Sequence, residues 1–312
     1  MKRNQFKRMG TAIKSVLGGL LLAVSLPGFA QSCPVNSPPM DVLLFLDNSG
    51  SISNTEFDAA QQAIANIATN ILARPGYRLA VVNWACQEAG TLDSTRDGCR
   101  IDLATGSAIP GGWSSNPADF AYAGNNSASN RVCRSFGNIN SGDFLHRNNC
   151  GGANFTNRVS DDYAQHALKL LDAALYSSGG TGGTDSSNMA TVAPVAPTQR
   201  LMLIHMTDAN AAISSRIREV PTAESALGNY YYSNRFKNQR NALMVGVGID
   251  GASSGTGARM ELGAVSSRGG NSTDYDTSHQ TAASTAAVDI GTPRLATFSA
   301  TFNAAQILAA TT

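Results

Sequence analysis

Charge is scarce in this 312-residue chain: only 14% of residues are Asp, Glu, Lys or Arg, and the formal net charge is +1. Basic side chains form no patch along the mature sequence, which excludes a nucleic-acid footprint. Aromatic residues are also few, at 7%. After residue 30 no apolar run approaches the length of a membrane span. Catalytic signatures are missing too. There is no G-x-S-x-G elbow, no H-E-x-x-H helix and no Cys–His pairing that stands out. The four histidines, His146, His166, His205 and His279, lack zinc-site spacing. On these grounds no enzyme is expected. His205 lies inside an apolar run and reads as a hydrogen-bonded core residue.

Residues 1–30 read as a cleaved secretory signal. Lys2, Arg3, Lys7, Arg8 and Lys14 are followed by the apolar stretch Val16 to Leu26 and the small-residue end Gly28-Phe29-Ala30. Removing it takes away five basic and no acidic side chains, so the mature chain is acidic. Residues 31–40 form a Pro- and Ser-containing leader, and 41–312 read as one domain. The expected location is periplasmic, cell-surface or extracellular. Five cysteines, at 33, 86, 99, 133 and 150, then favour disulfides over thiol chemistry. Sequence proximity suggests Cys86–Cys99 and Cys133–Cys150, although four cysteines allow three connectivities. Cys33 is left as an odd thiol or an intermolecular bridge.

Three apolar runs read as strands buried on both faces: Asp41 to Asp47, Arg200 to Asp208 and Ala242 to Ile249. Arg78 to Ala85 adds a further strand. Thr91 to Ala104 suggests an antiparallel edge hairpin tied by Cys86 and Cys99. Helical periodicity marks Glu56 to Arg74 (Phe57, Ala60, Ile64, Ile67, Ala68, Ile71, Leu72) and Asp161 to Tyr176. Shorter helices are expected at Ala211–Glu219, at Ala223–Asn241 around the packed aromatic cluster Tyr230 to Phe236, and at Glu261–Ser266. Asp274–Asp276 reads as a last short strand. Leu295, Phe298, Phe302, Ala305 and Leu308 mark a closing helix. Alternation of strands and helices predicts a doubly wound, mostly parallel α/β sheet with helices on both faces. Two Gly-, Ser- and Asn-rich insertions interrupt it, at 106–150 and 177–197. The first reads as a solvent-facing platform over the carboxyl edge of the sheet rather than core.

The stretch DVLLFLDNSGSIS places Asp47, Ser49 and Ser51 at the end of the first buried strand, spaced D-x-S-x-S. Three oxygen side chains on one tight loop suit a hard divalent cation. Ser53 and Glu56 also form a helix capping box there, which does not compete with metal binding. RLMLIHMTD, ALMVGVGID and ELGAVSSRGG follow in order. Together these motifs resemble the von Willebrand factor type A domains, over nearly the whole mature chain. The resemblance implies a metal-ion-dependent adhesion site of Asp47, Ser49, Ser51 and Asp208, holding Mg²⁺ or Mn²⁺. It also implies a protein partner that offers an acidic residue to the ion. A threonine that completes the family's site stands as Ala153 in Gly151-Gly152-Ala153-Asn154-Phe155-Thr156, so Thr156 is the expected substitute. The glycine usual after the second aspartate is Ala209. The expected function is therefore adhesion or surface assembly. The alternatives are a structural subunit of a fibre or pilus with a vestigial metal site, or a Mg²⁺-dependent phosphoester hydrolase.

Overall fold

Strand β1, Met40–Asp47, is buried at every position. A strand with no exposed face must satisfy its N–H and C=O groups on both edges and its side chains on both faces. Parallel pairing with β2 (Arg78–Cys86) on one side and β6 (Arg200–Thr207) on the other meets the first requirement. The computed structural model describes residues 38–49, 51–86, 99–105, 109, 111–125, 127–133, 136–138, 143–145, 163–176, 195–196, 198–209, 216–280 and 289–311. The main sheet has six strands in the order β3-β2-β1-β6-β7-β9. Here β3 is Cys99–Leu103, β7 is Leu243–Ile249 and β9 is Ala296–Ser299. Only β3 runs antiparallel; every other neighbouring pair is parallel. A separate two-stranded ladder joins β4 (Phe136–Asn138) to β5 (Asp143–Leu145).

Helices cover both faces, so the fold is a doubly wound α/β sheet. On one face α1 (Asn54–Ile71) and α6 (Ala304–Thr311) pack against Val42, Leu44 and Leu46. On the other, α2 (Ala164–Tyr176), α3 (Tyr231–Asn238), α4 (Gly251–Ser254) and α5 (Thr256–Val265) pack against Leu43, Phe45 and their neighbours. The apolar stripe of α1 is the one that its periodicity marks, with Phe57, Ala60, Ile64, Ile67, Ala68 and Ile71 all buried. Gly246 has a packing role: a Cβ there would overlap the Ser266 hydroxyl and Leu262, so α5 lies directly against the β7 backbone. No helix among the described residues is long and apolar enough to cross a membrane.

The predicted edge hairpin is present. Cys86 and Cys99 face each other across β2 and β3 and are joined by a disulfide. Cys133 is also disulfide-bonded, whereas its expected partner Cys150, like Cys33, lies outside the described residues.

Four expectations need correction. The last sheet strand is β9, Ala296–Ser299, in the stretch expected to begin the closing helix; α6 starts only at Ala304. Four residues are too few for a period of two to show against the helical spacing of Leu295, Phe298 and Phe302. Asp274–Asp276 is not a strand; it crosses α5, where Asp276 N–H donates to the Met260 carbonyl (2.9 Å). A short strand β8, Arg268–Ser272, precedes it. Arg216–Arg218 form a turn where a helix was expected, the earlier part of that helix falling outside the described residues. Ala223–Asn241 divides into a 3₁₀ turn, Thr222–Leu227, and α3, with Tyr230 in the left-handed region between them (φ 61°).

The first insertion also differs from its expected form. Ile109, Trp113, Phe120 and Val132 are buried, and Ser114 pairs with Leu79 near the amino end of β2. Gln61 donates to the Val132 carbonyl and Asn83 to the Cys133 carbonyl (2.5 and 2.9 Å). Ile109, Trp113, Phe120 and Val132 thus anchor this stretch to the core over α1 and β2, with exposed residues between them. Scattered single aromatics between polar residues carry no period, and for that reason the sequence reads as surface. The two-stranded β4–β5 ladder falls in the later part of the insertion; the second insertion is described only at 195–196.

His205 is fully buried among Phe45 and Trp84, with ring centroids 5.7 and 5.3 Å away. Contrary to expectation, neither ring nitrogen has a hydrogen-bond partner among the described residues. Burial lowers its pKa from 6.5 to about 3. The folded state therefore holds the neutral ring, while the unfolded chain takes up a proton below pH 6.5. The contribution of His205 to stability is complete above pH 6.5 and falls as pH drops toward 3. Replacing His205 with Leu should stabilise the fold by about 1–3 kcal/mol near neutrality, because two unpaired buried nitrogens disappear. It should also flatten the acid limb between pH 6.5 and 3 in urea titrations; an unchanged acid limb would refute this assignment. Breaking Cys86–Cys99 by a double Ser substitution should cost about 3 kcal/mol in the loop-entropy model, read from the same titrations.

Candidate functional site

The carboxyl edge of the sheet is where open α/β folds place ligand loops. Parallel pairing in register sets Asp47 at the end of β1 beside Trp84 at the end of β2, and Leu46 beside Met206 in β6. The next residues on β6, Thr207 and Asp208, therefore arrive next to Asp47. Asp47 is fully buried and Asp208 nearly so, at 0% and 5% exposure. Each oxygen of Asp47 accepts a hydrogen bond. Oδ1 accepts from the Ser49 N–H (2.9 Å), which folds the loop back on the strand end. Oδ2 accepts from the Thr207 hydroxyl (2.7 Å).

The two serines complete the constellation. Ser49 Oγ and Ser51 Oγ lie 2.9 Å apart, and Ser51 Oγ donates to Asp208 Oδ1 at 2.9 Å. Side chains 157 residues apart in sequence are thus joined hydroxyl to carboxylate. Asn48 N–H donates to the Trp84 carbonyl (2.8 Å), pinning the loop to β2. Immediately after it the chain enters α1 through the predicted capping box: Ser53 N–H donates to Glu56, and Glu56 N–H donates to Ser53 Oγ (2.6 and 3.2 Å). The cap fixes the direction in which the loop leaves, so Ser49 and Ser51 are held by structure on both sides.

Of the five residues that the sequence singles out, the structure brings four together: Asp47, Ser49, Ser51 and Asp208. Thr156 lies outside the described residues. Thr207 was missed. The sequence alone carries no signal for it, because only the register of β1 with β6 sets the Thr207 hydroxyl against Asp47. Thr207 also accepts from the Ala209 N–H (3.1 Å) and so orients the turn after Asp208.

Among the described residues no group of three or more His, Cys, Asp and Glu side chains gathers. The donors here are two carboxylates and serine hydroxyls, oxygen throughout. This set fits a hard cation such as Mg²⁺ or Mn²⁺ and is a poor match for zinc. Ser49 and Ser51 each have lone pairs free to turn toward an ion, at the expense of the Ser49–Ser51 and Ser51–Asp208 hydrogen bonds.

No family model matches this sequence, and no curated protein does. Solved structures with a similar chain course include proximal thread matrix protein 1 from the mussel byssus. In one crystal form the identity is 13% and the TM-score 0.36, with 72% of this chain and 41% of that one covered. The pilus adhesin SpaC from Lactobacillus rhamnosus GG is 13% identical with a TM-score of 0.41, over 88% of this chain and 30% of that one. This chain spans less than half the length of either protein.

Thr207→Val removes the hydroxyl that donates to the buried Asp47 carboxylate. A loss of about 1–3 kcal/mol in urea unfolding is expected, with the far-UV circular dichroism unchanged. A neutral result would mean that Thr207 does not hold Asp47 in solution.

Proposed function

We propose that this chain is an exported binding protein that holds a divalent cation between the β1 and β6 loops and uses it to capture a carboxylate on a protein partner. The convergence of Asp47, Ser49, Ser51 and Asp208 at one sheet edge carries this reading. Two buried carboxylates on adjacent strands repel each other, and a divalent cation between them removes that cost. Ser49 and Ser51 would hold the ion through neutral oxygens, with Asp47 and Asp208 binding it directly or through water, and Thr207 would keep Asp47 in place. An ion held partly by neutral ligands keeps an appetite for one more anionic oxygen. A partner's Asp or Glu supplies it. The disulfide between Cys86 and Cys99 supports an oxidising compartment, as does the signal-like leader.

The sequence on either side of the two aspartates favours binding over catalysis. Phosphoester chemistry at a magnesium centre calls for cationic side chains to hold the phosphate. The sequence flanking both aspartates, from Val42 to Ser53 and from Leu201 to Ala209, contains one histidine and no Lys or Arg. That histidine, His205, is sealed in the core.

Isothermal titration of the mature chain with Mg²⁺ and Mn²⁺ tests the proposal. Asp208→Asn is expected to abolish binding, and Thr207→Val to weaken it 10- to 100-fold, the usual effect of removing a group that orients a metal ligand. Asp47→Asn is preferable to Asp47→Ala, because alanine would strand both the Ser49 N–H and the Thr207 hydroxyl. If the parent chain takes up neither ion, the cation reading fails. Phosphoester hydrolysis that depends on Asp47 would transfer the site to the enzyme class.

A further inference from the structure

The described sheet ends at β9, and the parallel register with β7 decides which backbone groups it leaves over. Gly246 pairs with Ala296 and Gly248 with Phe298. Gly246 N–H donates to the Leu295 carbonyl and Asp250 N–H to the Ser299 carbonyl (2.8 and 3.2 Å). Odd-numbered residues of β9 therefore turn their N–H and C=O groups toward β7, and those of Ala296 and Phe298 point outward. Among the described residues the sheet has no further strand beyond that edge; β8 touches only its amino end, through bridges from Arg268 and Ser272 to Arg294. All four β9 residues are only half-buried.

Grooves flank the edge on both faces of the sheet. One, of about 430 Å³, is lined by Phe298, Ala296, Arg259 and Asp274 on the α5 side. The other, of about 390 Å³, is lined by Thr297, Leu295, Gln306 and Ala309 on the α6 side. Asn271 lines both.

We propose that the free edge of β9 pairs antiparallel with the same edge of a second copy, about a two-fold axis through Thr297. The edge is complementary to itself. Outward groups at Ala296 and Phe298, two residues apart, meet those of Phe298 and Ala296 in the other copy, which makes four backbone hydrogen bonds. Each Phe298 then stands opposite a small Ala296, on the face where the larger groove leaves room. Thr297 faces its own copy on the other face, and such Thr–Thr pairs are favourable across strands. A two-fold interface is isologous and closes on itself, so the edge is used up without running on into a fibre. Because the joined strands run in opposite directions, the carboxyl edges of the two sheets point opposite ways. A dimer would then present its two β1–β6 loops to two different partners.

The pairing makes Thr297 a non-hydrogen-bonded cross-strand position, with Cα atoms about 4.5 Å apart, within disulfide range. Oxidation of the mature Thr297→Cys variant should give a covalent dimer on non-reducing gels, well above the parent, which retains all other cysteines. Ser299→Cys, which would face residue 295 of the other copy, should stay at the parent level. In sedimentation velocity the parent should dimerise with rising concentration. Ala296→Pro removes one outward N–H without touching the β7 ladder and should weaken the dimer at least tenfold. Ala296→Lys, which places a charge at the edge, should do the same and decides the matter if the proline variant does not fold. A parent that stays monomeric at every concentration, or a Thr297→Cys variant that cross-links no more than Ser299→Cys, would overturn the proposal.

Discussion

The pairing of β1 between β2 and β6 is the constraint on which the remainder rests. Every side chain of β1 is buried, so neither neighbour can be lost without exposing a row of polar backbone and two apolar faces. A slip of one residue would send Phe45 and Asp47 to the face that α1 and α6 occupy. Correct register, by contrast, sets Asp47 against Thr207 and brings Ser51 within hydrogen-bonding distance of Asp208. The same ladder that completes the core also assembles the site, which explains why Asp47, Ser49 and Asp208 tolerate burial while Ser51 stays exposed at its rim.

Long, strongly patterned elements were legible in the sequence, and the reason is physical. Continuous apolar runs such as Leu43 to Leu46 and Leu201 to Ile204 admit few structures once they end on loop residues. The stripe from Phe57 to Ile71 fits only a helix. Pairing of Cys86 with Cys99 followed from their proximity in sequence, and the β2–β3 ladder sets the two face to face. What escaped reading was decided by tertiary contact. Ala296–Ser299 became a strand because β7 offered an edge, and its four residues could not reveal that alone. Trp113 and Phe120 found the core through a chain with no period. Tyr230 adopts a left-handed conformation that a tyrosine has no local reason to choose; its hydroxyl donates to Asp276 (2.5 Å) and its N–H to the Arg218 carbonyl.

The site was read in the same uneven way. D-x-S-x-S after a buried strand gave Asp47, Ser49 and Ser51, and the second strand-end aspartate gave Asp208. Thr207 differs from Ser49 and Ser51 in that its hydroxyl belongs to a strand and not to a loop. Its importance shows only when the two strands are laid side by side. Buried imidazoles usually have hydrogen-bond partners; among the described residues His205 has ring packing instead, which no sequence pattern encodes.

The hydrogen bond from Thr207 to Asp47 spans 160 residues of chain, and this distance sets the order of events during folding. A contact so far apart in sequence carries a high entropic cost of closure and slows the search for the native state. Strand β1 emerges first, yet one of its two edges can be covered only after β6 has been made and delivered. Until then the most apolar segment of the mature chain has an open flank that can join a neighbouring molecule. Shielding of β1 is therefore needed only until residue 207 arrives.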